Sequence, residues 1–131
     1  MGTKTAELTG ATVLVLEDDY YLACDLQIAL ENAGATVIGP FATEAEAEGA
    51  LNLAAPDCAL VDVNLGEGPT FGLPRALADR EVPFAFVTGY DWQVIPAEFA
   101  GAERVQKPIS LPAVIGKAAR MLAPGPAGGA R

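Results

Sequence analysis

Val13-Leu14-Val15-Leu16-Glu17-Asp18 is the stretch on which the reading of this chain turns. Four branched apolar residues in a row make a short buried strand, and the run stops on two carboxylates. A second run of the same kind, Ala59-Leu60-Val61, stops on Asp62. If the two strands are parallel neighbours, their carboxyl ends bring Glu17, Asp18 and Asp62 together. Three carboxylates in one small pocket are costly without a cation. Oxygen-only ligands suit a hard ion such as Mg²⁺. The pattern points to a metal held beside one reactive aspartate.

Outward from these two runs, strands and helical segments alternate. Thr12 to Leu16 is the first strand, and a helix follows from about Tyr20 to Ala33, with Gly34 as its stop. Thr36 to Gly39 reads as a short second strand. Thr43 caps a second helix, with Glu46 as its capping-box partner, running to about Ala54 before Pro56. Ala59 to Asp62 is the third strand, central by its continuous apolarity. Gly66, Gly68 and Pro69 make a loop. A short helix spans Leu73 to Asp79, with Pro74 in its first turn. Phe84 to Thr88 is the fourth strand and Arg104 to Gln106 a weak fifth. Ser110 caps a last helix to about Leu122. Between Gly89 and Glu103 alternation calls for another helix, but Pro96 and Gly101 interrupt it. At most two loosely packed turns are expected there.

Residues 1–10 read as an N-terminal extension, 11–122 as one domain, and 123–131 as a Pro/Gly-rich tail expected to be disordered. Five β-α units imply an α/β fold, a doubly wound parallel five-stranded sheet with helices on both faces. Such sheets bind ligands at the carboxyl ends of their strands. Glu17, Asp18, Asp62, Thr88 and Lys107 all fall at or just past expected strand ends.

Bulk properties narrow the function. With 131 residues, one domain has room for a real core. Seventeen acidic against eight basic residues give a net charge of −9, which argues against nucleic-acid binding. No apolar run is long enough for a membrane span, and Met1 to Thr9 lacks the apolar core of a signal peptide, so cytoplasmic residence is expected. Cys24 and Cys58 lie in apolar surroundings and read as reduced core residues. The chain has no histidine. That excludes a His-based triad, most zinc sites and a phosphohistidine carrier, so any general base must be a carboxylate, a lysine or water. Asp19 reads best as a helix cap, and Tyr20 and Tyr21 as packing residues at the start of that helix. Trp92 is either a partner contact or a cover for the core.

Taken in order, Glu17-Asp18, Asp62 after Ala59-Leu60-Val61, Thr88 after Phe86-Val87, and Lys107-Pro108 resemble a response-regulator receiver domain. The match runs from about Thr12 to Leu122. The resemblance implies a flavodoxin-like fold with strand order 2-1-3-4-5. It implies Asp62 as phosphoacceptor and also a Mg²⁺ ligand, Asp18 as a direct Mg²⁺ ligand and Glu17 as a ligand through water. The main-chain carbonyl of Asn64 would complete the protein ligands. Thr88 and Lys107 would bind the phosphoryl group, and Pro108 would follow a cis bond that aims Lys107 into the pocket. The implied partners are a histidine kinase, directly or through a phosphotransfer protein, and a downstream protein, with no nucleic acid and no membrane. Self-catalysed phosphotransfer and slow autodephosphorylation would be its only chemistry, so it is not a turnover enzyme.

Receivers usually carry an aromatic switch residue three places before the lysine, where this chain has Arg104. Phe84-Ala85-Phe86-Val87-Thr88-Gly89-Tyr90 is similar to a bacterial subgroup with a Phe-Ala-Thr-Gly-X-Tyr signature, though Val87 replaces its Ala and Tyr90 directly follows Gly89. Members of that subgroup are commonly stand-alone receivers in stress signalling. The different readout expected here is an order-disorder change of residues 89–103, with Gly89 supplying backbone freedom. Two alternatives carry other chemistry. An aspartate-nucleophile phosphatase needs a second Asp two residues after the nucleophile, where Asn64 stands. A phosphorylation-independent scaffold would not need the acidic pair, Asp62 and Lys107.

Overall fold

The computed structural model describes residues 7–65, 68–89 and 92–123. Five strands form one parallel sheet: β1 (Thr12–Leu16), β2 (Thr36–Phe41), β3 (Cys58–Asp62), β4 (Phe84–Thr88) and β5 (Glu103–Gln106). Their order across the sheet is β2-β1-β3-β4-β5. Four α-helices accompany them: α1 (Tyr20–Asn32), α2 (Glu44–Leu53), α3 (Gly72–Asp79) and α4 (Leu111–Leu122). The calls at Tyr90 and in the tail beyond Ala123 lie outside the described residues.

Side-chain alternation along the strands divides the core in two. Val13, Val15, Leu60, Ala85 and Val87 pack with Leu26 and Leu30 of α1 and Val114 and Ala118 of α4. Leu14, Leu16, Ala59, Val61, Phe84 and Phe86 pack on the other face with Ala47 and Leu51 of α2 and Leu73 and Leu77 of α3. Helices on both faces explain why β3 and β4 are buried along their whole length and apolar up to Asp62 and Thr88. The core also reaches back before β1. Leu8 is buried among the α1/α4-face residues, and its N–H donates to Ala33 O at 2.9 Å. Gly34, at φ +103°, lets that segment approach, since a methyl there would stand 2.8 Å from Thr9 Oγ1.

Helix starts follow the expected chemistry. Thr43 Oγ1 accepts from Glu46 N at 3.2 Å and Ser110 Oγ from Ala113 N at 3.4 Å. Two elements differ from expectation in form, and a third has the expected form but packs differently. The second strand continues past Gly39 to Phe41, because a Gly39-Pro40 pair that reads as a stop is absorbed as an irregularity opposite Val15, on an edge strand where proline's missing N–H costs no ladder bond. The loop after Asp62 contains a small antiparallel pair, Asn64–Leu65 with Gly68–Pro69. Between β4 and β5 the described residues form no α-helix but two 3₁₀ turns, Trp92–Val94 and Ala97–Phe99, within the two turns expected. Pro96 precedes the second turn and cannot donate the bond that would join the two. The segment is nevertheless not loose throughout. Phe99 is only 6% exposed, and its ring lies 5.6 to 6.1 Å from those of Phe71, Phe84 and Phe86.

Candidate functional site

Strand register assembles the site. Leu16 pairs with Val61, so the residues that follow them, Glu17 and Asp62, emerge side by side. Asp62 pairs with Val87, and Thr88 with Gln106, so Thr88 and Lys107 arrive at the same edge. The Lys107 N–H donates to Thr88 O at 2.6 Å, tying the last two strand ends together.

Glu17, Asp62 and Thr88 are buried, at 2%, 2% and 3% exposure, and they are the buried polar or charged residues among those described. Each of Glu17, Asp18 and Asp62 offers a carboxylate oxygen, and the three oxygens lie within 4.8 Å of one another. Asp18 is exposed and leaves one side of the cluster open. Lys107 Nζ lies 3.5 Å from Asp62 Oδ2 and 3.8 Å from Glu17 Oε2. The Lys107-Pro108 peptide is cis, as the family resemblance implied. Arg104 stands exposed on β5.

Electrostatics give a test of whether a cation fits. Burial, and then the adjacent Asp62 carboxylate, push the Glu17 carboxyl up to about 8, against smaller opposing effects of the Asp19 N–H and Lys107. Its Oε2 accepts from Asp19 N at 3.1 Å, while Oε1 is buried with no hydrogen-bond partner. A buried carboxylate oxygen without a donor, beside two more carboxylates, is a group that a hard cation would satisfy. The residues present therefore fit Mg²⁺.

The neighbours take other roles. Asp19 caps α1, accepting from Tyr21 N at 3.0 Å and Leu22 N at 3.2 Å. Tyr20 and Tyr21 do not pack inward as expected. They are 72% and 79% exposed and meet edge-to-face, with ring centroids 5.5 Å apart, at the helix start nearest the acidic cluster. Both cysteines are free, but only Cys58 is a core residue, its thiol pushed up to about 12 by burial, whereas Cys24 is half-buried. No described helix is long and apolar enough to cross a membrane. Sequence reasoning missed Glu44, whose carboxylate reaches the start of α3. No local motif announces a contact between residues 29 apart in sequence.

No protein-family model matches the chain. It is 33% identical over 107 residues to the phyllosphere-induced regulator PhyR of Methylorubrum extorquens, an alignment that covers 79% of this chain and spans 38% of that protein's length. The solution structure of SdrG from Sphingomonas melonis Fr1 matches at 31% identity with a TM-score of 0.75, covering 91% of this chain and 100% of that one. The response regulator PhyR from Brucella abortus shares the fold, with a TM-score of 0.76 at 23% identity over 88% of this chain and 49% of that one.

Proposed function

The chain belongs to the response-regulator receiver domains, and from that premise we propose that it accepts a phosphoryl group on Asp62 from a histidine kinase, directly or through a phosphotransfer protein. The observation that carries this reading is the meeting of Asp62 Oδ2 and Lys107 Nζ at 3.5 Å within a carboxylate cluster spanning 4.8 Å. An Asp62 oxygen attacks phosphorus in line with the leaving group. The new oxygen–phosphorus bond forms as the bond to the donor breaks. Lys107 pairs with one phosphoryl oxygen, and the Thr88 hydroxyl donates to another. Asp18, Asp62, Glu17 through water and the Asn64 carbonyl would hold the cation. Mg²⁺, when bound, would neutralise negative charge on the transferring group.

The chain is then changed by its own chemistry and does not turn over an external substrate. Phosphorylation alters local charge by about −1 to −2 units, which biases nearby segments toward a different arrangement. Output is a protein contact or the onward passage of phosphate, and a cytoplasmic setting fits that chemistry. The test is incubation with acetyl phosphate and Mg²⁺, followed by intact mass. The expected result is a gain of one phosphoryl group, absent without Mg²⁺ and absent in Asp62→Asn. No gain in the wild type would leave a scaffold, and steady release of phosphate a phosphatase.

A further inference from the structure

Glu44 serves two helices. It is the first residue of α2, where an acid favours the positive helix end. Its carboxylate also crosses to α3, where Oε2 accepts from the N–H of Leu73 at 2.7 Å in a half-buried setting. That helix has no cap of its own, since its N-cap residue is Phe71 and no side-chain bond forms there. Gly72 is what admits the carboxylates. A methyl group on it would stand 2.7 Å from Glu48 Oε2 and 3.1 Å from Glu44 Oε1. Glu44 thus closes the positive end of α3, with the Glu48 carboxylate beside it.

The start of α3 is also the end of the loop that leaves Asp62. The other end of that loop is fixed by the sheet, where the N–H of the buried Val63 donates to Val87 O at 3.2 Å. We propose that Glu44 is a positioning residue for the phosphoacceptor: by capping α3 it fixes Gly68–Pro69 just before that helix, and, through the pairing of Asn64 with Pro69, where the Asn64 carbonyl stands relative to Asp62. This rests on the receiver reading of Asp62 and Asn64 and adds a residue outside the acidic cluster.

The test uses the full chain and three variants. Glu44→Ala removes the acceptor. Glu44→Asp keeps a charge on α2 but draws the carboxylate back by one methylene. Glu44→Gln keeps an oxygen able to accept from Leu73. Three quantities are read: amide exchange over residues 68–73 without metal, Mg²⁺ affinity by calorimetry, and the rate of phosphoryl gain from acetyl phosphate. Ala and Asp are expected to speed exchange about tenfold, with a three- to tenfold loss in both Mg²⁺ affinity and rate, while Gln stays within twofold. If Ala fails to fold, Asp carries the comparison. Folded Ala or Asp variants with wild-type Mg²⁺ affinity and rate overturn the proposal, even if their thermal midpoint drops. So does an equal loss in Gln. Wild-type protein that neither binds Mg²⁺ nor gains mass overturns the receiver chemistry itself, a result distinct from any difference among variants.

Discussion

At the scale of single residues, Glu17 shows what crowding carboxylates does to folding. Burial and the Asp62 charge hold its carboxyl near 8 in the folded chain, against 4.5 for the ordinary group. Between those values the folded chain keeps a proton that the unfolded chain has released. Stability therefore declines as pH rises from about 4.5 to about 8, and the contribution is fully present only below that window. The thermal midpoint of metal-free protein should fall between pH 5 and 8. Glu17→Gln should flatten that slope and raise stability at pH 8 by on the order of 1–3 kcal/mol. Calorimetry giving the same slope in both proteins would contradict this. The carboxylates were legible from sequence because each ends an apolar run, so position and chemistry point the same way. Tyr20 and Tyr21 were not. Helical period tells which face turns inward, but not whether anything lies over the first turn, and among the described residues both rings stay exposed.

Among the elements, the stretch between β4 and β5 has the two turns expected of it but packs more tightly than expected. Pro96 and Gly101 correctly argued against a full helix, yet the burial of Phe99 depends on Phe71, 28 positions earlier, and no local signal carries that. The same limit hid the continuation of β2, where Gly39-Pro40 looks terminal until the neighbouring strand absorbs it. Phe99 is also flanked by an exposed ion pair, Arg75 Nη2 to Glu98 Oε2 at 2.9 Å, whose guanidinium lies 5.9 Å from its ring. An exposed pair of this kind contributes little, so the ring dominates. Phe99→Ala should lower unfolding free energy by about 3–5 kcal/mol in urea titration, and Phe99→Leu by less than about 1.5 kcal/mol. A loss under about 1 kcal/mol for Ala would mean that the segment is not part of the core.

For the whole molecule, alternation of elements was enough to give a parallel sheet covered on both sides. The order of strands came only with the family resemblance, because periodicity does not say which strand neighbours which. The lower boundary of the core was also hidden, since Leu8, flanked by Glu7 and Thr9, belongs to no apolar run or period. Leu8→Ala should lower unfolding free energy by about 2–4 kcal/mol, read by chemical denaturation, because the side chain is fully buried against α1 and α4 residues. An effect below 0.5 kcal/mol would show that the segment before β1 merely rests on the domain. The rings of Phe71 and Phe99 stack 6.1 Å apart, and each lies on the chain a short way beyond one of the two strand ends that form the site. The paths leaving Asp62 and Thr88 are therefore leashes knotted to one post. Trimming either ring to a methyl would take that shared contact from both paths at once.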